Sequence, residues 1–404
     1  PPAMTRIKNA PSSVIAYGDA TFPPGWGRLG RAACGRPGII RGGAPYTTNG
    51  RVGGYYKMTY SLFSKYRSQL MGAAIVWVML FHAFDLDLRV PLLNAICRAG
   101  FGGVDVFILL SSMGLVMSLS RRPQEYTAFM ARRGQRILPA YFAVMVPFTL
   151  YLILARGKTW SSLIWNASLL YYWVRPSGAF NWYVAGAMTF YAVTPWCFAR
   201  WQRSKHRQGL TALAVGLGLA LCQLLTHEGY WQYTDLAYRI PVFFLGLLLG
   251  FWVLEDRPLT AKSALFWAAC LCAAGGYLYL SLTKEWINWP IHFPQCHLFL
   301  FTTVPMCLLI CLALDKLPLG PLSRLLDFLG RYSLEIYLLN VSVFSLIDLW
   351  RGCLPFGGSN RLYYVIMLPL NVLLAVLLRR MVAAAQSFCH FHRDQISRSV
   401  KRRH

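Results

Sequence analysis

A histidine closes an apolar run near the start of the hydrophobic part of this chain. The run is QLMGAAIVWVMLFHAFD at 69–85, with no formal charge from Leu70 to His82. Asp85 follows three residues on, about one helical turn, and Asp87 two beyond it. Ionisable groups at membrane depth are costly and by default mark a pathway or a reactive site. An imidazole there suits general-base chemistry, because it changes charge near neutral pH. Asp85, at i+3, could orient the ring and stabilise the imidazolium, as the acidic member of a triad does. The alternative is an interfacial histidine whose polar edge snorkels to water.

Three further stretches carry groups of this kind. In GFGGVDVFILLSSMGLVMS, Asp105 sits inside an apolar run, with Ser111 and Ser112 about two turns on. A buried carboxylate calls for an Arg or His on a neighbouring helix. Its alternative is a helix cap, with the serines bonding back to carbonyls. In YTAFMARRGQRILPAY, Arg132, Arg133 and Arg136 recur at helical spacing. Arg132 and Arg136, four apart, are expected on one face. Such a face is a topology determinant or lipid contact, and it equally suits the phosphates of an acyl-coenzyme A. In LGRYSLEIYLLNV, Glu335 lies among apolar residues with Ser333 and Asn340 nearby. It too calls for a partner.

The elements that must position these groups follow from composition. Of 404 residues, 56% are hydrophobic and only 14% charged, with a mean hydropathy of +0.41. A soluble domain carries roughly 25% charged residues. The shortfall, with repeated apolar runs, predicts an all-α, polytopic transmembrane helical bundle. The net charge of +25 is not read as a nucleic-acid footprint, because Lys and Arg fall mostly between apolar runs. Ten spans are expected, at 70–87, 102–120, 138–155, 182–199, 210–226, 239–254, 263–281, 297–315, 333–350 and 362–380. The shorter piece at 161–174 is expected to be re-entrant or interfacial, since crossing takes at least ~17 residues. Basic residues cluster on alternate loops, which predicts both termini in the cytoplasm and His82, Asp85 and Asp87 toward the outer end. Arg239 is placed among the outer-loop cations.

Residues 1–57 are rich in Gly, Pro and Arg and lack periodicity. They are expected to be disordered, a candidate non-native extension, with Met58 as the candidate natural start and no signal-peptide pattern. Residues 58–386 form the membrane domain and 387–404 a basic cytoplasmic tail. Most of the eleven cysteines lie in apolar runs as small hydrophobes, and no metal site is expected. A Cys97–Cys353 disulfide between outer loops is one reading of the remaining pair.

Five segments in order resemble the acyltransferase 3 family of integral membrane O- and N-acyltransferases. They are LMGAAIVWVMLFH, GGVDVFILLSSMGL, FMARRGQRILPAY, NWYVAGAMTFYAVTP and LGRYSLEIYLLN, and together they cover roughly residues 66–380. The resemblance implies a multi-pass protein of the cell membrane that moves an acyl group, commonly acetyl, from cytoplasmic acyl-CoA. The implied acceptor is a hydroxyl of a surface polysaccharide, lipid or glycan. Residue by residue, it implies His82 as general base and aligns Asp105 and Ser111 with the family's GVD…S segment. Arg132, Arg133 and Arg136 fall on the basic segment, and Trp182, Phe190 and Tyr191 on the aromatic one.

Three positions depart from the pattern. The family's first-span arginine falls on Met71, with Arg67 one turn earlier. The acid of the aromatic segment falls on Ala187, and the histidine after YLL on Asn340. Arg67 and Glu335 are the expected substitutes. Two other readings stay open: a proton-coupled transporter or flippase relaying through Asp105, Glu335 and His82, and an inactive relative.

Overall fold

The computed structural model describes residues 58–83, 86–283, 294–344, 346–347, 351–355 and 358–401. Residues 1–57, and Asp85 with them, lie outside the described set. The main helices are α1 (Arg67–Phe81), α2 (Gly103–Arg121), α3 (Tyr126–Arg156), α4 (Trp182–Arg203), α5 (Arg207–His227) and α6 (Ile240–Leu254). They continue with α7 (Ala261–Thr283), α8 (Pro294–Lys316), α9 (Gly320–Arg331), α10 (Ser333–Leu339) and α11 (Asn360–Lys401). Among the described residues, seven helical stretches are long and apolar enough to cross a membrane. Nine of the ten predicted segments fall, in order, on helices of 15 or more residues, whereas 333–350 begins as the seven-residue α10 and continues as a π-helical turn, Asn340–Phe344.

Three other boundaries differ from expectation. The first span stops at Phe81 rather than 87, which leaves α1 only 15 residues long. Pro139 does not separate the basic segment from the third span. Both form one 31-residue helix, α3, which carries Pro139 and Pro147 inside it. The basic tail is helical in continuation of the last span, as far as Lys401. The stretch at 161–174 forms two short helices, Ser161–Ala167 and Tyr171–Val174, neither able to span. Cys97 and Cys353 are both free thiols, so the expected disulfide is not formed.

α2 is the centre of the bundle. It is apolar all round, as a fully enclosed helix must be, and Phe107, Leu109, Leu110 and Met113 have no exposed surface. α6 packs along it through Gly246 and Gly250, four apart, where small residues let backbones close up. A Cβ at Gly246 would collide with Ser112 Oγ, and one at Gly250 would lie 2.7 Å from Val116 Cβ. We expect Gly246→Leu to force the helices apart and cost about 1–3 kcal/mol of overpacking, read as a lower unfolding temperature in detergent. Gly216→Leu, where a Cβ meets nothing within 4 Å, is the control expected to be silent. α1 packs most closely on α9, an amphipathic helix that lay in an expected loop. Ser68 Oγ donates to the Asp327 carbonyl at 3.2 Å there.

The two sets of helix ends sort as an up-and-down bundle requires. On one end Lys65 pairs with Asp315 at 2.5 Å, Arg207 with Glu255, and Arg379 donates to the Arg331 carbonyl. On the other, Trp77 Nε1 donates to the Ile96 carbonyl at 2.6 Å and Arg361 to the Asp87 carbonyl at 3.4 Å. Exposed Leu213, Leu265 and Val365 on α5, α7 and α11 give the bundle its apolar exterior. The chain is a multi-pass integral membrane protein.

Candidate active site

At the basic end, α1, α2, α3, α4 and α10 converge on a buried polar cluster. Arg67 opens α1 and turns inward onto α2, where its Nε donates to the Leu110 carbonyl at 3.2 Å. Its guanidinium lies over Gly114, whose missing side chain makes the room: a Cβ there would sit 2.7 Å from Arg67 Nη2. From α3 comes Arg133, donating through Nη2 to Ser118 Oγ at 3.1 Å and covering the Phe129 ring at 5.0 Å. Arg136, one turn further, lies within electrostatic range of Arg67, Arg133, Tyr191 and Glu335. Tyr191 of α4, 3% exposed, faces Arg67 and Arg133 as well. Glu335 of α10 is buried within electrostatic range of Arg379 and Arg136.

Arg132 does not join them. It is exposed, and its Nε turns back to the Ala128 carbonyl at 3.3 Å. The inward face is therefore set by Arg133 and Arg136 at i+3, not by the i+4 pair expected from spacing. Ser111, next to the carbonyl that Arg67 binds, is buried. Ser112 bonds back to the Ile108 and Leu109 carbonyls at 2.8 and 3.0 Å, the local role open to either serine.

His82 occupies the opposite end. It is the C-cap residue of α1 and is 8% exposed. Its Nδ1 lies 2.8 Å from the Val78 carbonyl. A carbonyl can only accept, so Nδ1 carries the ring proton and Nε2 the lone pair. Nδ1 is thus held by backbone, while Asp85, expected to orient the ring, lies outside the described residues. Phe81 packs edge-on to the imidazole at 5.2 Å. The fifteen residue steps from Arg67 to His82 correspond to about 22 Å along the helix. The guanidinium cluster and the imidazole therefore stand at opposite ends of α1.

Asp105 belongs to a third group. No side chain caps the start of α2; instead Asp105 Oδ2 lies 3.7 Å from Arg239 Nε, both side chains 1% exposed. Arg239 also donates to the Asp235 carbonyl at 3.1 Å and lies 5.6 Å over the Trp182 ring. Asn181 holds Trp182 in place by capping α4, its Oδ1 accepting from the Tyr183 and Val184 amides at 2.9 and 3.2 Å. Arg239 is thus a buried partner, not the outer-loop cation expected from its flanking residues. The need for a cation near Asp105 was visible in sequence, but its source was not.

The last group is Asn340 with Asn371 of α11. Asn371 Nδ2 donates to Asn340 Oδ1 at 3.3 Å and to the Ile336 carbonyl at 3.2 Å, and lies 3.8 Å from Met79 Sδ. Met79 is one turn before His82. A π-helical turn, Asn340–Phe344, begins at the first asparagine, and such turns concentrate at functional sites. Asn371 was not expected from sequence. Its one signal was a polar residue in an apolar run.

A family model described as an acyltransferase domain matches residues 70–380. The chain belongs to the acyltransferase 3 family. Arg67 lies just before the matched region and delivers its guanidinium to the other basic groups from one turn before Met71. Ala187, where the resemblance led to the expectation of an acid, is a buried apolar residue, and Glu335 lies within electrostatic range of Arg136. Asn340, where the resemblance led to the expectation of a histidine, is a buried polar residue that accepts from Asn371 Nδ2. Among curated proteins, the chain is similar to one named "Putative membrane-bound transacylase BcsY" from Komagataeibacter xylinus. They are 26% identical over 256 residues, covering 58% of this chain and 64% of that protein. The chain thus aligns with somewhat under two thirds of that relative's length. No solved structure matches the chain.

Proposed function

We propose that this acyltransferase 3 member transfers an acyl group, acetyl being the expected one, from cytoplasmic acyl-CoA to an acceptor hydroxyl. The acceptor is a surface polysaccharide, glycan or lipid, and the cell envelope is the place of action. The observation that carries the reading is the tautomer of His82, whose Nδ1 is committed to the Val78 carbonyl. His82 Nε2 takes the proton of the acceptor hydroxyl as its oxygen attacks the thioester carbonyl. The C–S bond of the tetrahedral adduct then breaks, and coenzyme A leaves as the thiol, its sulfur taking back the proton held on His82 Nε2. Arg67, Arg133 and Arg136 hold the donor's phosphates, since clustered guanidiniums repel one another and favour an anion between them. The donor's flexible arm spans the distance to His82 through the bundle. The relative named as a membrane-bound transacylase supports the same reaction class.

Coenzyme A binding to the solubilised protein tests this. Arg136→Ala is expected to weaken binding about tenfold or more, the worth of a charge-assisted hydrogen bond. Arg132→Ala, on the exposed face, is expected to leave it unchanged. Equal affinity for wild type and Arg136→Ala would overturn the donor site and favour the transporter reading.

A further inference from the structure

α1, α7, α8 and the short helix Pro91–Arg98 enclose an apolar groove of about 400 Å³. Its lining is hydrocarbon almost throughout, and two polar groups on it are already satisfied. Trp77 Nε1 donates to the Ile96 carbonyl at 2.6 Å, and Thr302 Oγ1 to the Leu298 carbonyl at 3.3 Å. Such a surface has affinity for a hydrocarbon chain and none for a sugar or a phosphate.

The groove has a direction. Toward the Arg67 end, Leu70 and Cys307 are 1% and 0% exposed. Toward the His82 end, Leu92, Ile96 and Tyr279 are 55%, 45% and 37% exposed. A chain therefore enters at the His82 end with its tail pointing toward the basic end and its headgroup left at the mouth. From the wall at Trp77, a run of packed rings leads to the histidine. Trp77 meets Phe299 at 6.0 Å, Phe299 meets Phe101 at 4.9 Å, and Phe101 meets Phe81 at 5.4 Å, beside His82. Arg98, exposed two residues beyond Ile96, adds a cation that suits an anionic headgroup.

We propose that this groove holds the hydrocarbon tail of a lipid-borne acceptor, presenting its headgroup hydroxyl at the His82 end of the bundle. The inference rests on the acyl-transfer reading for the fate of that hydroxyl, but not for the binding itself. The donor's acyl chain is the wrong occupant, because its phosphates are assigned to the arginines at the closed end.

Gly275 gives a clean test. It lines the groove, and a Cβ there meets only Leu271 Cδ1 at 3.9 Å, ordinary van der Waals contact, so a side chain can be introduced at the lining. Gly276, its neighbour, faces open space away from the lining. The probe is a long-chain alkyl glycoside with a diazirine in its tail, irradiated with the full chain in nanodiscs. Labelling is expected on peptides around Trp77 and Gly275. It should fall at least about tenfold in Gly275→Phe, since each methylene denied burial weakens binding roughly fourfold. Gly275→Leu should give an intermediate loss and Gly276→Phe none.

Labelling equal in all variants overturns the proposal. So does labelling displaced by bulk phospholipid or by a long-chain acyl thioester but not by unlabelled glycoside. Where transfer is measurable, Gly275→Phe should raise KM for the long-chain glycoside and spare both kcat and a short-chain glycoside of the same headgroup. Because labelling needs no turnover, a protein that labels but never transfers refutes the acyl-transfer reading and leaves the groove assignment standing.

Discussion

His82→Gln should lower acyl transfer by about 10²–10⁴-fold, the usual contribution of a positioned general base. That range equals about 3–5 kcal/mol of transition-state stabilisation. Glutamine keeps much of the ring's bulk, so α1 and its packing should survive and coenzyme A binding should be unchanged. The loss should therefore fall in kcat rather than in donor affinity, as expected for an interaction made only in the transition state. Radiolabelled acyl transfer in membranes, with expression and donor binding measured alongside, reads the outcome. Wild-type turnover from His82→Gln would remove the imidazole from the mechanism. The prediction follows from geometry as much as from residue type. Val78 fixes the ring at Nδ1, and only a ring held in that tautomer offers Nε2 as an acceptor for a proton.

The second large effect lies at Asp105 and Arg239. Each side chain is 1% exposed and they lie 3.7 Å apart. Removing one member of a buried ion pair leaves an uncompensated charge and typically costs about 3–5 kcal/mol. Asp105→Ala and Arg239→Ala should each lower the unfolding temperature in detergent sharply. The double variant Asp105→Leu/Arg239→Leu should recover part of that loss, because apolar replacement of a whole pair is often neutral. A double-mutant cycle gives the coupling directly. Purely additive losses would mean the pair does not interact. Activity of the double variant separates two roles for Asp105: a stable but inactive protein indicates a part in the reaction, whereas restored turnover indicates scaffolding.

Much of this was legible in the sequence. Low charge and repeated apolar runs dictate helices that satisfy their own backbone in lipid, which is why nine of the ten segments fall on long helices. The special residues were legible for the same reason. His82, Asp105, Glu335 and the arginines are conspicuous because burial in such helices is costly, and a costly group invites a question about its purpose. Segment order sufficed for the family.

What sequence could not supply is which costly groups meet. Helical spacing grouped Arg132 with Arg136, yet the rotation of α3 against its neighbours turned Arg133 inward and left Arg132 exposed. The cation opposite Asp105 lies more than a hundred residues away at Arg239, reached only because α6 closes on α2 through Gly246 and Gly250. Asn371 meets Asn340 for the same kind of reason, with α11 packed on α10. Periodicity is a property of one helix, whereas these pairings depend on the phase of one helix relative to another. In a bilayer that phase is set by side-chain packing at the crossings, and no single stretch of the chain contains it.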